Sequence, residues 1–141
     1  MFAAACEFSG LTDVVSYYLT LSLGREKEEH IDYQAFVEEG QDRIGATLWQ
    51  QPELYLDQSA VLRADRVTTP MLLVHNKKDA IIGWRQGMEW YMALRRLHKP
   101  VWMLQYDESN HGNQGKEAKG FTERLTQFFG YYLKGEAHRS G

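Results

Sequence analysis

The chain has 141 residues, 43% of them hydrophobic and 25% charged, which suits one folded domain with a real core. Four Trp, eight Tyr and six Phe argue against disorder, because large apolar groups offset the chain entropy lost on folding. The formal net charge of −3, with no long basic run, excludes a phosphate-backbone partner, and no stretch approaches the roughly 18 apolar residues that cross a bilayer.

Residues 1–5 are apolar but have no basic n-region, and they are too few for a signal peptide. Residues 2–8 (FAAACEF) read as a short buried strand, although Ala-rich runs are ambiguous between strand and helix. Cys6, inside that run, is the only cysteine, so an intrachain disulfide and a Cys-based zinc site are excluded and a buried, inert thiol is expected. Residues 12–23 read as mixed helix and loop, and the charged stretch 25–30 as a solvated loop. Residues 33–47 have helical character that ends near Gly45, and Pro52 suits the first turn of another short helix, where its missing N–H costs nothing.

The second half is clearer. Residues 70–75 (PMLLVH) form a continuous apolar run after a proline, the mark of a strand covered on both faces. A polar turn over 76–79 follows. Trp84, Met88, Tyr91, Leu94 and Leu97 then recur at helical spacing, with Arg85, Arg95 and Arg96 elsewhere on the cylinder. Pro100 ends that helix, residues 101–106 (VWMLQY) give the next strand, and 107–115 a polar loop. Phe121, Leu125, Phe128, Phe129 and Tyr132 line one face of a terminal helix that stops near Gly135. Strand, helix, strand, helix implies a parallel sheet with helical crossovers, so the fold class is α/β. There is no internal repeat, low-complexity segment or linker.

In open α/β sheets chemistry collects at loops beyond the carboxyl ends of the strands. One such loop carries Asp79 and the next carries His111. A carboxylate that fixes an imidazole, whose other nitrogen takes a proton from a serine, is the acid–base half of a nucleophilic triad. In α/β-hydrolases the chain order is Ser, acid, His, and acid then His is the order found here. On spacing alone, a turn-forming Asp and an idle surface His remain the ordinary alternative.

The surrounding residues add weight. The segment 69–79 (TPMLLVHNKKD) resembles the strand and acid loop of the prolyl oligopeptidase family of serine peptidases. The similarity runs on through Trp84, Gly87, Tyr91 and 93–97 (ALRRL). Residues 99–106 (KPVWMLQY) resemble the family's last core strand, and 109–112 (SNHG) its catalytic-His loop. Upstream, 43–49 (RIGATLW) and 52–56 (PELYL) look like a subgroup common among bacterial members.

The resemblance covers nearly the whole chain. It implies one partial α/β-hydrolase domain over 1–141, with a short, mostly parallel sheet of about three strands and flanking helices. It implies Asp79 and His111 as catalytic residues, a peptide substrate, no cofactor and no metal. It also brings Val14, Tyr17 and Tyr18 to the pocket for the residue before the scissile bond, against a plain reading of all three as core. For location it allows the bacterial periplasm, the cell envelope or the cytoplasm.

The chain departs from the pattern as well. Asn76 stands where many members have Gly, and Ile82-Gly83 where many have Val-Pro. No G-x-S-x-G turn occurs: Ser9, Ser16, Ser22, Ser59, Ser109 and Ser140 all lack the flanking glycines. The chain therefore reads as the part of the catalytic domain after the nucleophile strand–turn–helix, inactive alone. The rival readings are a non-catalytic, self-associating module and a fragment of a hydrolase of small esters. A free edge on the first strand predicts a homodimer or larger oligomer. His75 is expected to be a core histidine, and His30, His98 and His138 surface residues.

Overall fold

The computed structural model describes residues 2–20 and 32–135. The expected charged loop at 25–30, His30, His138, Ser22 and Ser140 lie outside the described residues. Three strands form one sheet: β1 (Ala5–Phe8), β2 (Met71–Val74) and β3 (Val101–Leu104), in the order β1-β2-β3 with both pairings parallel. The register sets Cys6 beside Leu72 and Leu72 beside Trp102, so the layers follow from alternation along each strand. β1 is shorter than the sequence suggests, because pairing begins only where Ala5 N–H meets the Pro70 carbonyl.

The even positions of β2, Leu72 and Val74, pack on the long helix α5 (Gly115–Lys134) through Phe128, with Phe121, Leu125, Phe129 and Tyr132 around it. All five expected apolar positions of that helix therefore serve one face. Its start lies earlier than expected, at Gly115, and Gly135 closes it in the left-handed conformation, φ 67°, that glycine adopts without strain. Leu73, on the opposite sheet face, packs with Val101 against Trp90 and Leu94 of α4 (Trp84–Arg96) and against Ala64 of a kinked 3₁₀ segment, Ala60–Arg66. The buried stripe of α4 is Gln86, Gly87, Trp90 and Leu94, rotated from the expected Trp84–Leu97 stripe, and Leu97 is exposed. A glutamine in the stripe is why hydrophobic spacing misplaces it.

The third cluster covers the acid-loop end of the sheet. It joins α1 (Val14–Tyr18), α2 (Tyr33–Glu38) and α3 (Pro52–Gln58) through Val14, Tyr17, Tyr33, Val37, Tyr55 and Ile82. Asp13 caps α1 by accepting from the Val15 and Ser16 N–H groups, and Asp32 caps α2 through Gln34 and Ala35. Pro52 opens α3 as expected. The helix expected over 33–47 ends at Glu38, and its last carbonyls are met by a returning loop, with the Ile44 and Gly45 N–H groups donating to Val37 and Glu38. Among the described residues no helix is long and apolar enough to cross a membrane.

Candidate active site

The acid turn grows directly out of β2. After Val74, the His75 N–H donates to the Leu104 carbonyl at 3.1 Å and the Lys77 N–H to the Tyr106 carbonyl at 3.0 Å, so the ladder to β3 outlasts the strand. The chain then turns, and the Asp79 N–H reaches back to the Asn76 carbonyl at 3.2 Å. The Asp79 carboxylate is wholly buried. Its Oδ1 accepts from the backbone N–H groups of Ile81 and Ile82 at 3.0 and 2.9 Å, which holds the charge in place without immobilising a cation.

His75 props the same turn from beneath. Its Nε2 lies 2.7 Å from the Ile82 carbonyl, an acceptor, so Nε2 carries the proton. Burial lowers its pKa, outweighing the Ile82 bond and the nearby Asp79 carboxylate, and keeps the ring neutral. Its Nδ1 is buried without a partner, and the ring packs against Gly87, where an added Cβ would lie 2.7 Å from Nδ1. Two tyrosines hold the turn from the other side. Tyr17 Oη donates to the Ile81 carbonyl at 3.2 Å, and Tyr33 Oη to the Ala80 carbonyl at 2.8 Å.

His111, on the loop after β3, places Nδ1 3.0 Å from Oδ2 and 3.1 Å from Oδ1 of Asp79. The imidazole is 44% exposed while its carboxylate partner is 0% exposed. A carboxylate can only accept, so Nδ1 carries the proton and Nε2, on the far edge of the ring, is left as a base. The root of the loop is tied to α5: Ser109 Oγ donates to Glu117 Oε2, and the Glu108 N–H to Glu117 Oε1 at 3.3 Å. Lys77–Asp107 at 2.7 Å and Lys78–Glu108 add exposed ion pairs between the two loops, which contribute little stability.

Of the expected pocket residues, Val14 lines an open pocket of about 220 Å³ with Leu11, Asp42, Ile44 and Gln58. Burial raises the Asp42 carboxyl above its usual range. Tyr18 is 2% exposed and does not line that pocket; its hydroxyl donates to Glu38 Oε1 at 2.6 Å and its ring packs on Tyr55 and Trp49. Cys6 is half-buried rather than buried, and its thiol is pushed up to about 11 by burial and by Glu7, so it stays a thiol. His98 is exposed, as expected.

No serine among the described residues hydrogen-bonds His111. Ser59 is spent on the Tyr55 carbonyl, Ser16 on Glu89 and Gln86, and Ser109 on Glu117. Ser9 takes φ 52° with its hydroxyl buried and without a partner. The described residues hold no cluster of three or more His, Cys, Asp or Glu suited to a metal.

His75 is the core histidine that was expected, 0% exposed. Sequence reasoning missed the burial of two other polar residues at this end of the sheet, Asn76 and Gln86, which are 0% and 3% exposed. Gln86 Oε1 accepts from the Thr12 and Asp13 N–H groups at 3.0 and 2.8 Å. Its Nε2 donates to the Asp13 carbonyl at 3.1 Å and to Ser16 Oγ at 2.8 Å, locking α4 to the start of α1. For Asn76 the signal was present as a departure from the resembled pattern.

Comparisons with known proteins bear on the family and the fold. The sequence profile of the prolyl oligopeptidase family matches residues 1–136. The acylamino-acid-releasing enzyme of Rattus norvegicus is 36% identical over 72 residues, which is 51% of this chain and 9% of that enzyme. Dipeptidyl-peptidase 5 of Aspergillus oryzae is 30% identical over 79 residues, 55% of this chain and 11% of the relative. The chain thus spans a small part of these relatives' length. Among solved structures, the uncomplexed acylaminoacyl peptidase of Pyrococcus horikoshii superposes with a TM-score of 0.75 at 21% identity, covering 99% of this chain and 21% of that one. A puromycin-hydrolyzing peptidase of Mycobacterium tuberculosis gives 0.73 at 23% identity, over 94% of this chain and 18% of its own. At these identities the two structures speak for the fold alone.

Proposed function

The chain belongs to the prolyl oligopeptidase family, and from that premise we propose that it is the acid-and-base portion of a serine peptidase catalytic domain that cleaves peptides through an acyl-enzyme. The observation that carries this reading is a buried Asp79 carboxylate 3.0 Å from Nδ1 of a half-exposed His111. In the reaction, His111 Nε2 takes the proton of an attacking serine hydroxyl and later gives it to the leaving amine. Asp79 stays ionised throughout, fixing the tautomer and stabilising the imidazolium. The serine and the oxyanion donors come from a segment other than these 141 residues. Val14, on the wall of the open pocket, is the residue that meets the side chain before the scissile bond.

Two experiments test this. The isolated chain is expected to turn over neither fluorogenic peptides nor p-nitrophenyl esters, because triad members and oxyanion donors act as a unit. Turnover that disappears in a His111→Ala variant would show that the chain has a nucleophile of its own. Residues 1–136 grafted in place of the matching segment of the Pyrococcus horikoshii enzyme should restore peptide hydrolysis, and His111→Ala or Asp79→Asn should abolish it. A folded chimera that cleaves only esters, or that is indifferent to both substitutions, would overturn the proposal.

A further inference from the structure

We infer that Asn76 is a positioning residue for His111, a brace that joins the acid loop to the histidine loop where the backbone ladder between them has ended. The inference rests on reading Asp79 and His111 as the acid–base pair. The last backbone bond between the two segments is Lys77 N–H to Tyr106 carbonyl. Beyond it the Asn76 side chain takes over. Its Nδ2 donates to the Asn110 carbonyl at 2.8 Å and to Asn113 Oδ1 at 2.7 Å. His111 sits between those two points of attachment.

The chemistry of the amide supports a dedicated role. Nδ2 must face Asn110 because a carbonyl accepts and cannot donate, which fixes the orientation of the group. Both amide protons are spent on the histidine loop, while Oδ1 is buried with no partner among the described residues. An asparagine kept for core packing would not leave its acceptor unmet in a site with 0% exposure. Its donors therefore account for its presence. The other hydrogen bonds and ion pairs of the loop with neighbouring elements hold its root, at residues 107–109 and Glu117, and among the described residues none reaches 110–113 except the Asp79–His111 pair itself. A glycine at 76 would remove both amide bonds and leave that stretch anchored by the Asp79–His111 pair alone.

The test uses the full ¹⁵N-labelled chain and three readouts: amide order parameters over 110–113, the downfield Nδ1–H proton resonance of His111, and the urea midpoint. Asn76→Gly should lower the order parameters from about 0.85 to below about 0.6 and broaden the His111 resonance beyond detection, with the midpoint little changed. Asn113→Ala, at a half-buried position, removes only one of the two bonds and should give a smaller loosening of the same residues. Asn113→Asp keeps the acceptor and should behave as wild type. Unchanged order and an unchanged His111 resonance in both Asn76→Gly and Asn113→Ala would overturn the inference. A wild-type chain with an ordered loop that Asn76→Gly loosens, but without a His111 Nδ1–H resonance, would refute the acid–base reading and leave the brace standing.

Discussion

Glu7 is the one charged residue of β1, and replacing it with glutamine should make the fold more stable at alkaline pH. The side chain is largely buried: Oε1 accepts from the Gly10 N–H, and Oε2 is buried without a partner. Burial raises its pKa from 4.5 to about 7, against the lowering effect of the Gly10 bond. Between those two values the unfolded chain has released the proton and the folded chain still holds it. Stability therefore falls as pH rises through this window, the contribution being complete below about 4.5 and lost above about 7. At 1.36 kcal/mol per pKa unit the loss is at most about 3 kcal/mol, reduced by whatever solvent reaches the carboxylate. His75 acts in the opposite sense: its folded pKa lies below 6.5, so its neutral burial destabilises the fold as pH falls below that value. Comparing variant with wild type removes the His75 contribution, because both chains share it. Urea denaturation at pH 4.5, 6 and 8 should show Glu7→Gln gaining on wild type by about 2–3 kcal/mol across the series. A gap that does not change with pH would refute the burial of an ionisable group on this strand.

Three further outcomes are expected. Gln86→Leu keeps the volume but strands the buried Thr12 N–H and the part-buried Asp13 N–H, and should cost about 2–4 kcal/mol by urea denaturation; a loss below about 1 kcal/mol would mean that α1 is held by packing alone. Gly87→Ala drives a methyl to 2.7 Å from His75 Cβ and Nδ1 and should cost about 1–3 kcal/mol, with the His75 ring resonances shifted; a neutral variant would show that the ring has room to move. Sedimentation of the chain at micromolar concentration should give a dimer or larger species, because β1 pairs on one side only among the described residues and Phe2 beside it is 81% exposed; a folded monomer would show that the free edge is protected.

What the sequence made legible follows from where the information lies along the chain. β2 and β3 each stand just after a proline, Pro70 and Pro100, and each is a short run of apolar residues, so composition and boundary point the same way. The apolar face of α5 could be read because five aromatic or aliphatic residues repeat at one spacing, but its first turn could not. Residues 115–120 (GKEAKG) are polar and carry two glycines, and they join the helix because the hydrophobic residues after them are anchored. Asp79 and His111 could be singled out because each sits just past a strand end, in the acid-then-His order of α/β-hydrolases.

The polar side chains that tie distant segments together were not legible, for one physical reason. Asn76 meets its partners 34 and 37 residues away, and Gln86 meets Thr12 and Asp13 across 74 and 73 residues. A local window sees a polar residue in a turn or on a helix and assigns it to solvent. Only the closed fold makes it a buried donor or acceptor, and burial is what gives such a bond its leverage over the loop it reaches. In this chain Asp79 and His111 can therefore be singled out from local order, while the contacts of Asn76 and Gln86 exist only once the sheet has formed.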